Sequence, residues 1–418
     1  MQGMSGSPVF VDGKLIGAVS FSFTFGLDPI AGITPIGSMR SLAEAGGGLR
    51  DSDVARASTG AGAIPFPAGL VPSFADLRAA AAGGAGAPAA DRAAVPALLE
   101  KHLRLLSAPT PLDGARPALS WTAAGFGGMT RELLGTRLGP LVPLAGGGAA
   151  AGAGSGGSAL GTAQLADASD LGPGDAVALV LVQGDLSLAA HGTVTDRVGD
   201  SIVAFGHPVY SLGPVRLPMA RSDVITTIPS RSSSFKLSNA GELIGVFDQD
   251  REPGAHGVLG AAPDLVPVTV QLSGLADRSY RLELADSSIF KPTLTAVSML
   301  GALTSGSYST GFLGLDLEAR LQIDGHDDLL LAQSFDGSQA SMNAVVYLLT
   351  VAAFLELNEE RPTSITGMDL KLHQAADPRL TTLLGARAAK ERVTPGEKVP
   401  VWIDLHLHPR AFAALGLE

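Results

Sequence analysis

Two short turns carry the residue types that acyl transfer requires. The first is Gly3-Met4-Ser5-Gly6-Ser7-Pro8. Glycines on both sides of Ser5 let the backbone bend sharply and turn its amide hydrogens outward. A serine held on such a bend presents its hydroxyl, and the amides of Gly3 and Ser5 are placed to receive a developing oxyanion. The second is Ala204-Phe205-Gly206-His207-Pro208. A histidine at the end of an apolar strand, between Gly and Pro, can serve as a general base because its ordinary pKa is near neutrality. The same residue types also suit two tight turns of a β-structure with no chemistry at all.

The flanking residues say how these turns are held. Pro8 leads into an extended run, and Asp12-Gly13 between two apolar runs is a strong hairpin signal, because that turn needs positive φ. Ser5 is therefore expected on a loop just before a hairpin. His207 lies in a block opened by Pro173-Gly174-Asp175, with expected strands over 176–182, 185–190, 192–196 and 201–205. Short runs at this spacing indicate a barrel or a sandwich.

The same residues carry a family resemblance. Gly-Met-Ser-Gly-Ser-Pro followed by Asp12-Gly13-Lys14-Leu-Ile-Gly-Ala-Val, then Asp28-Pro29-Ile30-Ala31-Gly32-Ile33-Thr34-Pro35-Ile36, resembles the serine motif of the SpoIVB-type sporulation serine peptidase family. Gly192-Thr193-Val194-Thr195 ahead of Gly206-His207 resembles the segment that carries that family's histidine. Pro229-Ser230, Ser233-Ser234-Phe235-Lys236-Leu237, Gly241-Glu242-Leu243 and Gly257-Val258-Leu259-Gly260 resemble its continuation. The resemblance covers roughly residues 1–40 and 175–262. It implies a chymotrypsin-like logic with Ser5 as nucleophile, His207 as general base and a protein substrate, self-cleavage included. It further implies a place in the cell envelope or outside the cell.

Two departures accompany it. In the family the histidine precedes the serine, whereas here Ser5 comes first, which implies a rearranged domain; triads do recur in several chain orders. The family's acidic residue lies a short way before the serine motif, a position that falls ahead of Met1. Asp196, Asp200 and Asp223 are near His207 in sequence, but none stands on a matched motif, and the third member stays unassigned. A serine loop beginning at residue 3 also leads to the expectation that the chain is a fragment or starts at an internal methionine.

Composition bounds the remaining possibilities. The 418 residues are 46% apolar and only 17% charged, with 53 Gly and 27 Pro, which favours β-rich domains with many turns. A net charge of −11 without a basic cluster argues against nucleic acid as partner. The absence of cysteine excludes disulfides, thiolate metal sites and a cysteine nucleophile. No apolar run reaches the ~20 residues of a membrane-spanning helix. No cofactor is called for by serine chemistry.

The expected fold is mainly β, with chymotrypsin-like barrel-type halves, a few short helices and a C-terminal β-sandwich-like region. Its expected divisions are a serine-motif segment at 1–45, an Ala/Gly/Pro-rich connector at 46–172, a histidine-motif domain at 173–265 and a C-terminal domain at 266–418. Helices are expected over 36–46, 91–107, 130–138 and 338–359 only. Gly146 to Gly157 lacks the Gly-Lys-Ser/Thr that would make it a phosphate loop and reads as a connector. His102 reads as a packing residue. His406 and His408 share a strand face but lack a third ligand, so no metal site is expected. His191, His256 and His326 have no chemical constellation around them in sequence. The chain thus reads as a serine endopeptidase or, alternatively, as a non-catalytic β-rich envelope or secreted scaffold that reuses a peptidase-like fold.

Overall fold

A computed structural model describes residues 2–23, 30–44, 97–107, 115–117, 119–138, 141–144, 165–229, 234–275, 277–305, 313–358, 363–376, 382–390, 392–394 and 396–406. The chain is mainly β. Asp12-Gly13 makes the expected hairpin between β1 (Pro8–Val11) and β2 (Lys14–Phe23), with φ of 49° and 75° at the two turn residues. β3 (Ala31–Pro35) and β4 (Ala115–Pro117) pair with β2 to complete a small sheet. α1 (Ile36–Glu44) follows β3 and buries Met39 and Leu42.

Among the described residues the large sheet has 13 strands. They are β5 (Ser120–Ala124), β6 (Leu141–Leu144), β7 (Ala176–Gly184), β8 (Ser187–Val198), β9 (Ser201–Ala204), β10 (Gly213–Ile228), β11 (Phe235–Arg251), β12 (Gly254–Leu259), β13 (Leu265–Gly274), β14 (Arg278–Ala285), β15 (Leu313–Ile323), β16 (Leu329–Gly337) and β17 (Ile365–Ala375). A separate ribbon joins β18 (Thr382–Ala388) to β19 (Val401–His406). Within the large sheet the pairings close on themselves. β7 pairs with β10, β10 with β11, β11 with β12, β12 with β9, β9 with β8, and β8 returns to β7. β7 is buried along most of its length, as a continuous apolar strand requires. The expected runs 185–190 and 192–196 are one strand, because His191-Gly192 continues the ladder with β7.

Among the described residues three helices join the large sheet: α2 (Gly128–Leu138), α3 (Lys291–Thr304) and α4 (Ala340–Glu356). Another helix over 97–103 runs into a 3-10 turn at Arg104–Leu106 and buries His102, in keeping with its place on an apolar stripe. α4 lies against β15 and β16. α3 corrects the expected helix set. All but its last residue are buried, so it has no polar face to give a helical period; only Pro292 in its first turn marks it.

The expected divisions also differ from the structure. β14 pairs with β7 across residue 265, and β5 and β6 extend the sheet from within 46–172. One apolar cluster runs from Leu99 to Leu372 and takes in Leu179, Phe205, Met219 and Phe247. The breaks at 172/173 and 265/266 therefore separate neither sheets nor cores. Residues 46–96 and 145–164 lie outside the described residues. No described helix is long and apolar enough to cross a membrane.

Candidate active site

Ser5 and His207, 202 positions apart, are hydrogen-bonded through Ser5 Oγ and His207 Nε2. Four backbone features build the serine turn. Gly3 and Gly6 have φ of +81° and +89°. The Gly6 amide donates to Val19 O at 2.8 Å, and the Ser7 amide donates to Met4 O at 2.9 Å. A Cβ on Gly6 would sit 2.1 Å from Thr193 O, so only glycine fits. The turn is docked on β8: the Thr193 amide donates to Ser5 O at 2.8 Å, and Thr195 Oγ1 donates to Gly6 O at 2.7 Å. Thr193 and Thr195 thus clamp the Ser5 turn, a role their place in the Gly-Thr-Val-Thr motif did not reveal.

The histidine turn is held from the small sheet. Ser20 Oγ and Thr34 Oγ1 donate to Gly206 O at 2.7 and 2.5 Å. Phe205 and Gly206 both have positive φ, 68° and 69°, which swings His207 out of the line of β9. Two motifs distant in sequence therefore meet because β2 and β3 pack on one side of the turn while β8 carries Ser5 on the other.

The imidazole has the tautomer a base needs. His207 Nδ1 lies 2.8 Å from Pro208 O, a pure acceptor, so Nδ1 carries the proton and Nε2 is left to accept from Ser5. Burial lowers the His207 pKa to about 4, against the opposing pull of the Pro208 bond, which keeps it neutral at physiological pH. Ser5 Oγ also lies 2.5 Å from Phe205 O, a second acceptor for its hydroxyl proton. Among the described residues the Gly3 and Ser5 amides have no acceptor, as an oxyanion pair requires. The stem of Lys236 packs on Gly3, its ammonium is 3.4 Å from Thr193 Oγ1, and burial lowers its pKa. Both side chains are covered: Ser5 is 0% and His207 3% exposed.

No carboxylate bonds His207 among the described residues. Asp196 pairs with Arg40 at 2.7 Å instead. The acid that holds the loop after His207 is Asp250 at the end of β11, which sequence reasoning missed. Its two carboxylate oxygens accept the Val209 and Tyr210 amides at 2.7 Å each, so it organises the loop that begins with Pro208. Burial raises its pKa to about 6 in spite of these bonds. No local motif could have flagged it, since it lies 43 residues beyond His207.

Other histidines are accounted for as well. His191 is buried between Thr122 Oγ1 and Ser222 Oγ at 2.7 and 2.8 Å, and burial lowers its pKa to about 3. His256, expected to have no constellation, is corrected: it bridges Ser201 and Asp248. That cluster needs three strands to assemble, which no sequence spacing shows. Among the described residues no cluster could hold a metal ion; His406 is on β19 and His408 is outside them.

Compared with protein-family models, with curated proteins and with solved structures, the chain matches none.

Proposed function

We propose that the chain is a SpoIVB-like serine endopeptidase unit acting on a protein substrate. The observation that carries this reading is the hydrogen bond from Ser5 Oγ to His207 Nε2, which joins the two motifs behind the family resemblance. Ser5 Oγ attacks the peptide carbonyl while its proton passes to His207 Nε2. The Gly3 and Ser5 amides receive the oxyanion, and His207 then returns the proton to the leaving amine. The Pro208 carbonyl fixes the tautomer in the place of an acid. A neutral carbonyl stabilises an imidazolium less than a carboxylate does; replacing the acid in a serine triad costs up to roughly 10⁴-fold. The reaction is therefore slow, and Ser5 must be uncovered before a peptide reaches it. As in the family, export to the cell envelope or beyond belongs to this proposal.

The burial of Ser5 favours a second reading, in which the pair is an internal bond of a non-catalytic scaffold. A serine-directed fluorophosphonate separates the two. The peptidase reading expects labelling at Ser5, absent in Ser5→Ala and at least 100-fold slower in His207→Ala. Labelling indifferent to His207, or none at Ser5 in the folded chain, supports the scaffold.

A further inference from the structure

A complete Ser–His–Asp relay lies outside the site described above. Three neighbouring strands contribute one member each: Asp248 from β11, His256 from β12 and Ser201 from β9. Ser201 Oγ is 2.6 Å from His256 Nε2, and His256 Nδ1 is 2.5 Å from Asp248 Oδ1. The His256 and Asp248 side chains are only 7% and 12% exposed, while Ser201 is half-buried at the start of its strand.

The backbone explains the meeting. His256 pairs with Val203, and Ser201 is two residues from Val203, so the two side chains share a face of the sheet. On the other side the ladder slips: Phe247 pairs with Gly257, but Gln249 already pairs with His256. Asp248 is thus the extra residue of a β-bulge, and two residues, Asp248 and Gln249, oppose the one histidine. A bulge re-aims a side chain that strict alternation would send elsewhere. Here it brings a carboxylate onto the imidazole. The Asp248 carboxylate accepts the Nδ1 proton, which leaves Nε2 to take the Ser201 hydroxyl proton.

We propose that Ser201 is a second activated hydroxyl, served by His256 as base and oriented by Asp248, and that it accepts acyl groups from activated esters. The donor class follows from what surrounds the hydroxyl. Ser201 pairs with Val198 on one side and Val258 on the other, so its backbone is part of two ladders and does not form a free oxyanion pair like Gly3 and Ser5. Without that stabilisation, reaction is confined to esters whose leaving group departs easily. In the step, the Ser201 Oγ–acyl carbon bond forms and the ester C–O bond breaks. The Oγ proton moves to His256 Nε2 and on to the departing oxygen or solvent. Water later adds to the acyl-serine in the same way and releases the acid.

The test uses the full chain carrying Ser5→Ala, so the reading of Ser5 has no part in it. The protein is treated with 4-nitrophenyl acetate, and acetylation of the Ser201 peptide is followed by mass spectrometry against pH. Acetylation of Ser201 is expected. It should be at least 100-fold slower in His256→Gln and about 10-fold slower in Asp248→Asn. Both variants are checked by thermal melting; if His256→Gln does not fold, Asp248→Asn decides. An unmodified Ser201, or a rate unchanged by Asp248→Asn, overturns the proposal.

Discussion

At the scale of single residues, Ser5 and His207 could be picked from sequence because glycine and proline brand the turns that hold them. Their anchors could not. Thr193, Thr195, Ser20 and Thr34 are ordinary β-strand residues whose hydroxyls matter only once the strands are packed. Asp250 is the extreme case, since it meets the loop after His207 through backbone amides such as those of Val209 and Tyr210. Asp250→Asn keeps the shape but places an NH₂ where a carboxylate oxygen accepted an amide, so one buried N–H loses its partner. The expected cost is about 1–3 kcal/mol of stability, read by denaturant unfolding, with at least 10-fold slower fluorophosphonate labelling of Ser5. The pH profile is the sharper readout. The Asp250 charge adds to the burial that raises the Tyr210 pKa well above its ordinary value, so that phenol stays neutral across the acid range. Asp250 protonates near pH 6 and His207 near pH 4. Labelling of the wild type should thus fall through an acid limb near 6, and in Asp250→Asn the limb should move towards 4.

The two histidines and Asp250 also set opposite slopes of stability. His191 and His207 have folded pKa values of about 3 and 4, below their unfolded values, so the unfolded chain binds protons first as pH falls below ~6.5. Each should cost about 2 kcal/mol by pH 5. Asp250, raised to about 6, works the other way: its burial penalty is present above pH 6 and disappears as pH falls towards ~4. Urea unfolding at pH 7.5 and pH 5 should show a net loss at pH 5, and a gain there would contradict these shifts.

At the scale of elements, the hairpin at Asp12-Gly13 was legible because its turn demands positive φ at both positions. α3 was not, because a helix buried all round loses the periodicity by which helices are recognised. The bulge at Asp248 was not either, since a slipped ladder leaves no mark in one strand's own sequence. Two glycines of the serine segment test how turn geometry and close packing differ. Gly13 has φ of +75° but open space around a Cβ, so Gly13→Ala should cost only the left-handed strain, about 1–2 kcal/mol. Gly6→Ala adds the same strain to a clash with the Thr193 carbonyl, which is backbone and cannot rotate away. Its cost should exceed that of Gly13→Ala by at least ~2 kcal/mol, and the serine turn should leave β8. Thermal melting of both variants checks this, and equal costs would mean that the turn is not docked as described.

At the scale of the whole molecule, short strands and abundant turns made the mainly β class legible, but not the path that joins β7 to β14 and carries one core past residue 265. Pairings between distant strands depend on packing rather than on any local pattern. What ties the later helices to that sheet is equally hidden in sequence: a charge cluster around Lys291, at the start of α3. Its ammonium is 0% exposed and lies 2.6 Å from Asp286, 2.8 Å from Glu356 at the end of α4, and 2.9 Å from both Ser364 Oγ and Ile365 O. Glu356 in turn accepts the Ile365 amide at 2.6 Å, which fixes the start of β17. Burial raises the Glu356 pKa, while Lys291 opposes the rise. Lys291→Met removes the cation and leaves a buried carboxylate unpaired, so about 3–5 kcal/mol should be lost at pH 7. Without the lysine the Glu356 pKa must climb further, and a raised carboxylate pKa gives a penalty that is present above it and relieved as pH falls. The loss should therefore shrink on acidification to pH 5. The double variant Lys291→Met, Glu356→Gln should recover part of it at pH 7, because an amide can still offer Ile365 its acceptor. Denaturant unfolding of the single and double variants at both pH values measures this coupling. A Lys291→Met penalty unchanged between pH 7 and pH 5, and unrelieved by Glu356→Gln, would show that packing around the lysine stem, rather than its charge, joins α3 to α4 and β17.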